Sequence, residues 1–145
     1  MTRKPQSVGV GVLLQSLIDG MSHRGGETLV LMNDASVTLP QVLLLTRLRQ
    51  TPGCTMSELA EQLNLSLPAV SQAIDRLVRG RLAARKEDRE DRRRKRLVTT
   101  DAANALLDRL IRARAREFEQ GAARLSGKVR ADLTKVLRRA VAELG

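Results

Sequence analysis

The stretch TMSELAEQLNLSLPAVSQAIDRLV, residues 55–78, decides the fold. Thr55 stands three residues before Glu58, the spacing of a capping box at a helix start. After the short turn at residues 64–65, Ser66 is placed to cap a second helix that carries Pro68 in its first turn, where a missing N–H costs little. Two short helices joined by a tight turn predict a helix-turn-helix.

The second helix of this pair has one apolar face and one polar face. Val70, Ile74 and Leu77 recur on the apolar face, and about 100° per residue turns the polar side chains to the other side. Gln72 can pair with adenine, and Arg76 can bind guanine or phosphate. The candidate groove contacts are Ser66, Pro68, Ala69, Ser71, Gln72 and Arg76.

Simpler interpretations of these residues stay open. Ser66 can be only a helix cap, and Gln72 and Arg76 can be only solvated side chains on the outer face. Asp75 lies on the same face and would repel phosphate, so we expect it to pair with a nearby arginine.

The segment LAARKEDREDRRRKRLVTT, residues 82–100, follows the second helix. Residues 82–84 and 97–99 can form two short strands, with the charged stretch between them as the turn of a β-hairpin. A hairpin directly after a helix-turn-helix is a wing, so the sequence predicts a winged helix-turn-helix.

Positive charge is concentrated around this hairpin. The chain has 26 Lys and Arg against 16 Asp and Glu, and residues 79–96 alone hold ten basic and four acidic side chains. A charge run is usually a solvated face, but a basic chain of this size points to a polyanion, either nucleic acid or an anionic membrane. The charge lies on a hairpin and not along an amphipathic helix with aromatic anchors, which favours DNA. An arginine-rich tip suits the minor groove, where the potential is most negative.

The flanking segments read as helices. Apolar residues in 8–21 follow helical spacing, and Gly20, Gly25 and Gly26 predict a bent or broken helix there. Residues 28–32 are an apolar run of undecided type, and Thr38 can cap a helix that runs to about residue 50. After the hairpin, two further helices are expected, with these caps: Thr100 and Ser126.

Residues 39–100 resemble the MarR family of bacterial regulators. The helix-turn-helix string matches the family's core, and residues 82–100 match its wing. Within the wing, Arg85 matches the arginine of the first strand, Asp88 the first wing aspartate, and residues 91–93 the family's Asp-Arg-Arg.

The resemblance implies a homodimer in which terminal helices of two subunits interlock. Each recognition helix would enter a major groove, and Arg93, oriented by Asp91, would reach the minor groove. A two-fold dimer reads half-sites about one turn, ~34–36 Å, apart. The candidate wing residues are Arg85, Lys86, Asp91, Arg92, Arg93 and Arg94.

The sequence departs from the family's pattern at three positions. Arg81 stands where the family often has Gly, with Gly80 one residue earlier, so we expect the recognition helix to end one residue sooner. Arg89 replaces a frequent Pro and makes the wing more basic. Ala103 occupies the place of a Gly early in the next helix.

We therefore predict a mainly α fold with a small β-hairpin wing, divided into residues 1–37 (N-terminal dimerisation segment), 38–100 (winged helix-turn-helix) and 101–145 (C-terminal dimerisation helices). The predicted function is sequence-specific transcription regulation, as a repressor on a palindromic operator. The alternative is an architectural protein that coats or bends DNA with little sequence preference. An effector ligand is left open.

Other classes of function find little support. A single cysteine, Cys54, excludes an internal disulfide and a cysteine-based zinc cluster, and His23 is the one histidine. Some relatives switch through cysteine, but no Lys or Arg flanks Cys54, so we expect a small buried or loop residue. We expect no enzyme, cofactor, metal or membrane partner, and cytoplasm is the default location.

Overall fold

The computed structural model describes residues 9–22, 26–88, 90–91 and 94–145. Among the described residues there are seven helices and one hairpin: α1 Val10–Ser22, α2 Glu27–Asp34, α3 Leu39–Gln50, α4 Met56–Leu63, α5 Leu67–Arg79, β1 Ala83–Glu87, β2 Lys95–Thr99, α6 Asp101–Ala122 and α7 Gly127–Leu144. The predicted fold class, mainly α with a small β-hairpin, is confirmed. The chain divides into two compact units, residues 28–112 and residues 1–27 with 113–145.

The unit of residues 28–112 has an aliphatic core. Helices α3, α4 and α5 pack with the hairpin and the first half of α6 around side chains that are almost wholly buried. The chain has no Trp or Tyr, so this core is filled by branched aliphatic side chains. The largest of them are Leu45, Leu48, Leu59, Val70, Ile74, Leu77, Leu97 and Leu107.

The predicted helix starts are confirmed. Thr55 Oγ1 accepts the N–H of Glu58 at 3.2 Å, and the Thr55 N–H donates to Glu58 Oε2 at 2.7 Å, which completes the capping box. Ser66 Oγ accepts the N–H of Ala69 at 3.4 Å. At Thr38 the backbone N–H donates to the side chain of Gln41 at 2.8 Å. The other predicted caps, each bonded to the N–H three residues on, are Thr100 and Ser126.

Helix α5 ends in a Schellman motif whose left-handed residue is not glycine. The Leu82 N–H donates to the Leu77 carbonyl at 2.8 Å, and the Arg81 N–H to the Val78 carbonyl at 3.0 Å. The helix ends at Arg79, but Gly80 has an ordinary φ of −75° while Arg81 has φ of 58°. The chain therefore forces an arginine into a conformation that favours glycine.

The hairpin is longer than predicted. The antiparallel ladder runs from the pair Ala83 and Thr99 to the pair Glu87 and Lys95, whereas the sequence predicted strands at 82–84 and 97–99 only. The residues that extend the two strands, 85–87 and 95–96, are all charged, so alternation of apolar and polar residues does not mark them. Lys95 Nζ and Glu87 Oε1, 3.0 Å apart, form an ion pair across the ladder.

The segment of undecided type at residues 28–32 is helical and belongs to α2. Helix α1 passes through Gly20 and ends at Ser22, and α2 begins at Glu27, so the predicted interruption lies between these two helices. Two residues of the sequence interpretation, His23 and Gly25, lie outside the described residues. Within the described ranges no single helix is long and apolar enough to cross a membrane, and α2 with α3 meets that test only as a bent pair.

In the second unit, α1 and α7 contribute no buried residue. Helix α1 passes so close to α6 that a Cβ built on Gly121 would lie 2.6 Å from the Cα of Met21. The helices line an open groove of about 1270 Å³. Large apolar side chains remain exposed on both terminal helices, among them Val10, Leu13, Ile18, Val129, Val136, Val141 and Leu144.

Candidate nucleic-acid interface

Helix α5 presents the predicted contact residues outwards. Val70, Ile74 and Leu77 are buried against α3, α4 and the hairpin. Ser71 is partly buried, and the remaining candidates at the helix start and along its outer face are exposed: Ser66, Pro68, Ala69, Gln72 and Arg76. The Ser66 hydroxyl caps the helix, so at least one of the two roles considered for it is present in the structure.

An ion pair joins the wing to this face. Arg85 on β1 donates through Nη2 to Oδ1 of Asp75 on α5. The expectation that Asp75 pairs with a nearby arginine is confirmed. The pair offsets the one negative charge in the middle of the outer face and fixes β1 beside the helix. Both residues of the pair also line an open depression of about 390 Å³, together with Gln72, Arg76, Val78 and Arg79.

Two of the other candidate wing residues differ in their environment. Lys86 is exposed on β1 and forms no ion pair with any described residue. Arg94 lies 3.6 Å from Asp91 and is 66% exposed, a loose and solvated pair. Arg92 and Arg93 lie outside the described residues, so the orientation of Arg93 by Asp91 stays a prediction.

Sequence reasoning missed a cluster at the base of the wing. Asp88, only 8% exposed, accepts the backbone N–H of Glu90 at 2.8 Å and of Asp91 at 3.3 Å through Oδ1. Its Oδ2 accepts from Nε of Arg96. Arg96 also donates through Nη1 to the carbonyl of Gly53 at 3.0 Å.

The cluster stabilises charge on both partners. The N–H of Glu90, then the Arg96 guanidinium and the N–H of Asp91, lower the pKa of Asp88 below its ordinary value. The Asp88 carboxylate, as the largest cause, raises the pKa of Arg96. Each partner therefore favours the charged form of the other. The sequence pointed only to Asp88 in this cluster, because the Gly53 carbonyl that Arg96 binds lies 43 residues before it in the chain.

Cys54 lies at the foot of the same hairpin. It is buried and free, and its carbonyl accepts the N–H of Leu97 at 2.9 Å, while the N–H of Gly53 donates to the Leu97 carbonyl at 2.8 Å. The turn before α4 thus forms an isolated antiparallel bridge with β2. Cys54 occupies the position of a small core residue, as the sequence led us to expect.

Comparisons with known proteins identify this arrangement. The model of the MarR family matches residues 35–94. The transcriptional regulator Tm0710 of Thermotoga maritima superposes with a TM-score of 0.75 at 19% identity, over 92% of each chain. A variant of S. aureus MepR, solved bound to an oligodeoxyribonucleotide, gives 0.68 at 20% identity, over 96% of this chain and 100% of its own. Apo MarR of E. coli gives 0.66 at 19% identity, over 93% and 98%. No curated protein sequence matches the chain.

The match covers the helix-turn-helix and most of the hairpin, and it includes every described residue placed at the interface except those on the second strand. The structural likeness extends beyond it to nearly the whole chain. Residues 35–94 therefore match the model of the MarR family, and nearly the whole chain has the winged-helix fold of the solved regulators that it resembles.

Proposed function

We propose that this chain is a sequence-specific transcription regulator that binds DNA through α5 in the major groove and the hairpin in the minor groove. The observation that carries the proposal is the ion pair between Arg85 and Asp75, which makes the outer face of α5 and the basic wing one continuous surface. The pair lies within one compact unit, so both elements can reach the same duplex. The related MepR variant was solved with an oligodeoxyribonucleotide on the same fold.

Within this interface the two elements have different tasks. Gln72 and Arg76 are exposed and long enough to reach base edges, so they would read sequence. Lys86 and the arginines of the wing turn, Arg92, Arg93 and Arg94, would bind phosphate and the minor groove, which supplies affinity and salt dependence. Arg93, matched to the family's wing arginine, is the residue proposed for the minor groove.

We also propose that the chain acts as a homodimer on a palindromic site. The support is the exposed apolar surface of α1 and α7, since contiguous apolar surface of this kind marks an interface. The proposed organisation is that of the sequence: residues 1–37 and 101–145 form the dimer, and residues 38–100 bind DNA. The regulator would act as a repressor in the cytoplasm.

A ligand response is the last part of the proposal. An apolar cavity of about 450 Å³ lies beside α5, a volume that suits a small molecule. Its lining is mostly leucine and alanine, with Arg76 as the one charged residue, so an apolar anion bound there would occupy a proposed DNA contact. Benzoate is a suitable probe: it should weaken DNA binding, and it should lose that effect in an Arg76→Gln variant that still binds duplex.

The test of the main proposal is selection followed by competition. Genomic fragments that the protein retains are sequenced, and the selected site is titrated against random duplex of equal length. A specific regulator prefers its site by ~10³ or more. A promoter carrying that site should be silenced when the chain is present, and Arg93→Ala should weaken binding at least about tenfold, the scale of one lost charged contact.

The architectural alternative has one observation in its favour. Gln72 is the one exposed amide on α5; its other exposed polar side chains are the arginines Arg76 and Arg79, which can bind phosphate without reading sequence, and the wing is strongly basic. It predicts nearly equal affinities for selected and random duplex and a steep dependence on salt. That result in the competition titration would replace the first proposal with this one.

A further inference from the structure

We propose that Arg96 is a positioning residue for DNA binding, which with Asp88 fastens the start of the wing turn to the turn before α4 and binds no phosphate itself. We call this set, Asp88, Arg96 and the carbonyl of Gly53, the wing joint. The inference rests on the DNA-binding function proposed above, but the joint can be tested without DNA.

Asp88 holds the start of the wing turn in place. Its carboxylate is almost buried and accepts two backbone N–H groups, from Glu90 and Asp91, so it orders the residues that enter the wing turn. The backbone closes the same turn, since the Asp88 N–H donates to the carbonyl of Arg94 at 3.1 Å. A buried carboxylate needs a charged or hydrogen-bonded partner on its remaining oxygen, and Arg96 supplies it.

The guanidinium of Arg96 is surrounded by acceptors from the protein itself. Its Nε binds Asp88, its Nη1 binds the Gly53 carbonyl, and Glu58 Oε2 lies 3.9 Å from the same Nη1. One guanidinium therefore faces two carboxylates, so its positive charge is offset within the protein and is a weak counterion for a phosphate. Arg96 counts among the basic residues of the wing, but its charge is already used inside the protein.

The wing joint fixes the second strand, β2, in the same way that the Arg85–Asp75 ion pair fixes the first strand, β1. Gly53 belongs to the turn that leads into the capped start of α4, and that turn already pairs with Leu97 on β2. Arg96 adds a side-chain tie one residue before Leu97. With one tie from each strand, the hairpin is held against both helices of the helix-turn-helix, which preorganises the wing for a groove at a set distance from α5.

The first experiment measures DNA affinity as a function of salt for the unmodified protein, Arg96→Gln and the matched control Lys86→Gln. Each phosphate contact contributes about 0.9 to the slope of log K against log salt. Lys86→Gln should lower the slope by about that amount. Arg96→Gln should weaken binding about tenfold, the scale of one charge-assisted hydrogen bond, with the slope unchanged. A slope lowered as in the control, or an unchanged affinity, would overturn the proposal.

The second experiment uses amide hydrogen exchange without DNA. Arg96→Gln and Asp88→Asn should both speed exchange at the amides of Glu90 and Asp91, while Lys86→Gln leaves them unchanged. Amides of buried helix residues such as Leu48 and Ile74 should stay protected, which shows that the variants fold. A variant with both Arg96→Gln and Asp88→Asn should exchange these amides no faster than the more affected single variant, because both substitutions disrupt the same wing joint.

The two experiments separate the two proposals. If the unmodified protein binds no duplex, the proposed function fails, while exchange at Glu90 and Asp91 still decides whether the joint exists. If the protein binds DNA but exchange at those amides is the same in all variants, the joint is wrong and the function stands.

Discussion

Replacing Arg81 by glycine should stabilise the protein. Arg81 has φ of 58° at the end of α5, and its carbonyl accepts the hydroxyl of Thr100 at 2.7 Å, which holds the residue in place. A left-handed conformation costs an L-residue roughly 1–2 kcal/mol. Glycine avoids that cost but gives up about 0.5–1 kcal/mol more backbone entropy on folding. The free energy of unfolding should therefore rise by about 0.5–1 kcal/mol.

The matched control is Arg81→Ala. It removes the same charge and the same long side chain but keeps the Cβ that causes the strain, so it should give no gain. Each kcal/mol moves the melting temperature of a chain of this size by about 2–4 °C, so Arg81→Gly should melt about 1–4 °C above the control. Urea denaturation gives the free energy directly, with an unchanged m-value. All samples need equal protein concentration, because association shifts apparent stability.

An equal gain in stability in Arg81→Ala and Arg81→Gly would refute the prediction. That result would mean that the charge of the arginine, and not its backbone conformation, limits stability at this position. A gain in neither variant would mean that the left-handed conformation costs less here than its φ implies.

Three further predictions concern other parts of the chain. Gly121→Ala should lower the free energy of unfolding by about 1–3 kcal/mol, because the new methyl meets Met21, whereas Gly127→Ala, with open space around it, should be neutral or stabilising in denaturation. Because the pKa of Asp88 is lowered in the folded protein, its ionised carboxylate stabilises the fold above its ordinary pKa near 3.8, and this contribution is lost as pH falls through the lower folded pKa. The free energy of unfolding, measured by urea denaturation at a series of acid pH values, should show this loss in the unmodified protein and not in Asp88→Asn. Gln72→Ala should relax the preference for adenine at one position of the selected site by about 1–3 kcal/mol, measured by competing duplexes that differ there; equal discrimination in both proteins would exclude that contact.

The helix-turn-helix could be predicted because its signals are local. The capping box at Thr55 and Glu58 lies within four residues, and the apolar face of α5 has helical spacing within one element. Short-range patterns of this kind depend on neighbours along the chain, so a single sequence contains them.

The strand ends and the wing joint could not be predicted for the opposite reason. Charged residues such as Lys86 and Lys95 belong to the ladder because a partner strand pairs with them, and no pattern within either strand shows this. Arg96 differs in sequence from its basic neighbours in no visible way. Its role depends on a carbonyl at Gly53, which the fold brings to it.

The structure also changes what the basic charge of the wing means. The sequence counts ten basic residues in 79–96, but among the described ones Arg85, Lys95 and Arg96 are each held by a carboxylate at ion-pair distance. Because a carboxylate already offsets each of these three charges, we expect them to contribute less to phosphate binding than the charge of Lys86, which pairs with no described carboxylate. Affinity must then come from the basic residues that remain at the surface, so the salt dependence per protomer should be shallower than ten contacts would give at about 0.9 each. If the proposed function holds, part of the positive charge makes the wing rigid, and a rigid wing would let a few base contacts on α5 determine where the protein binds.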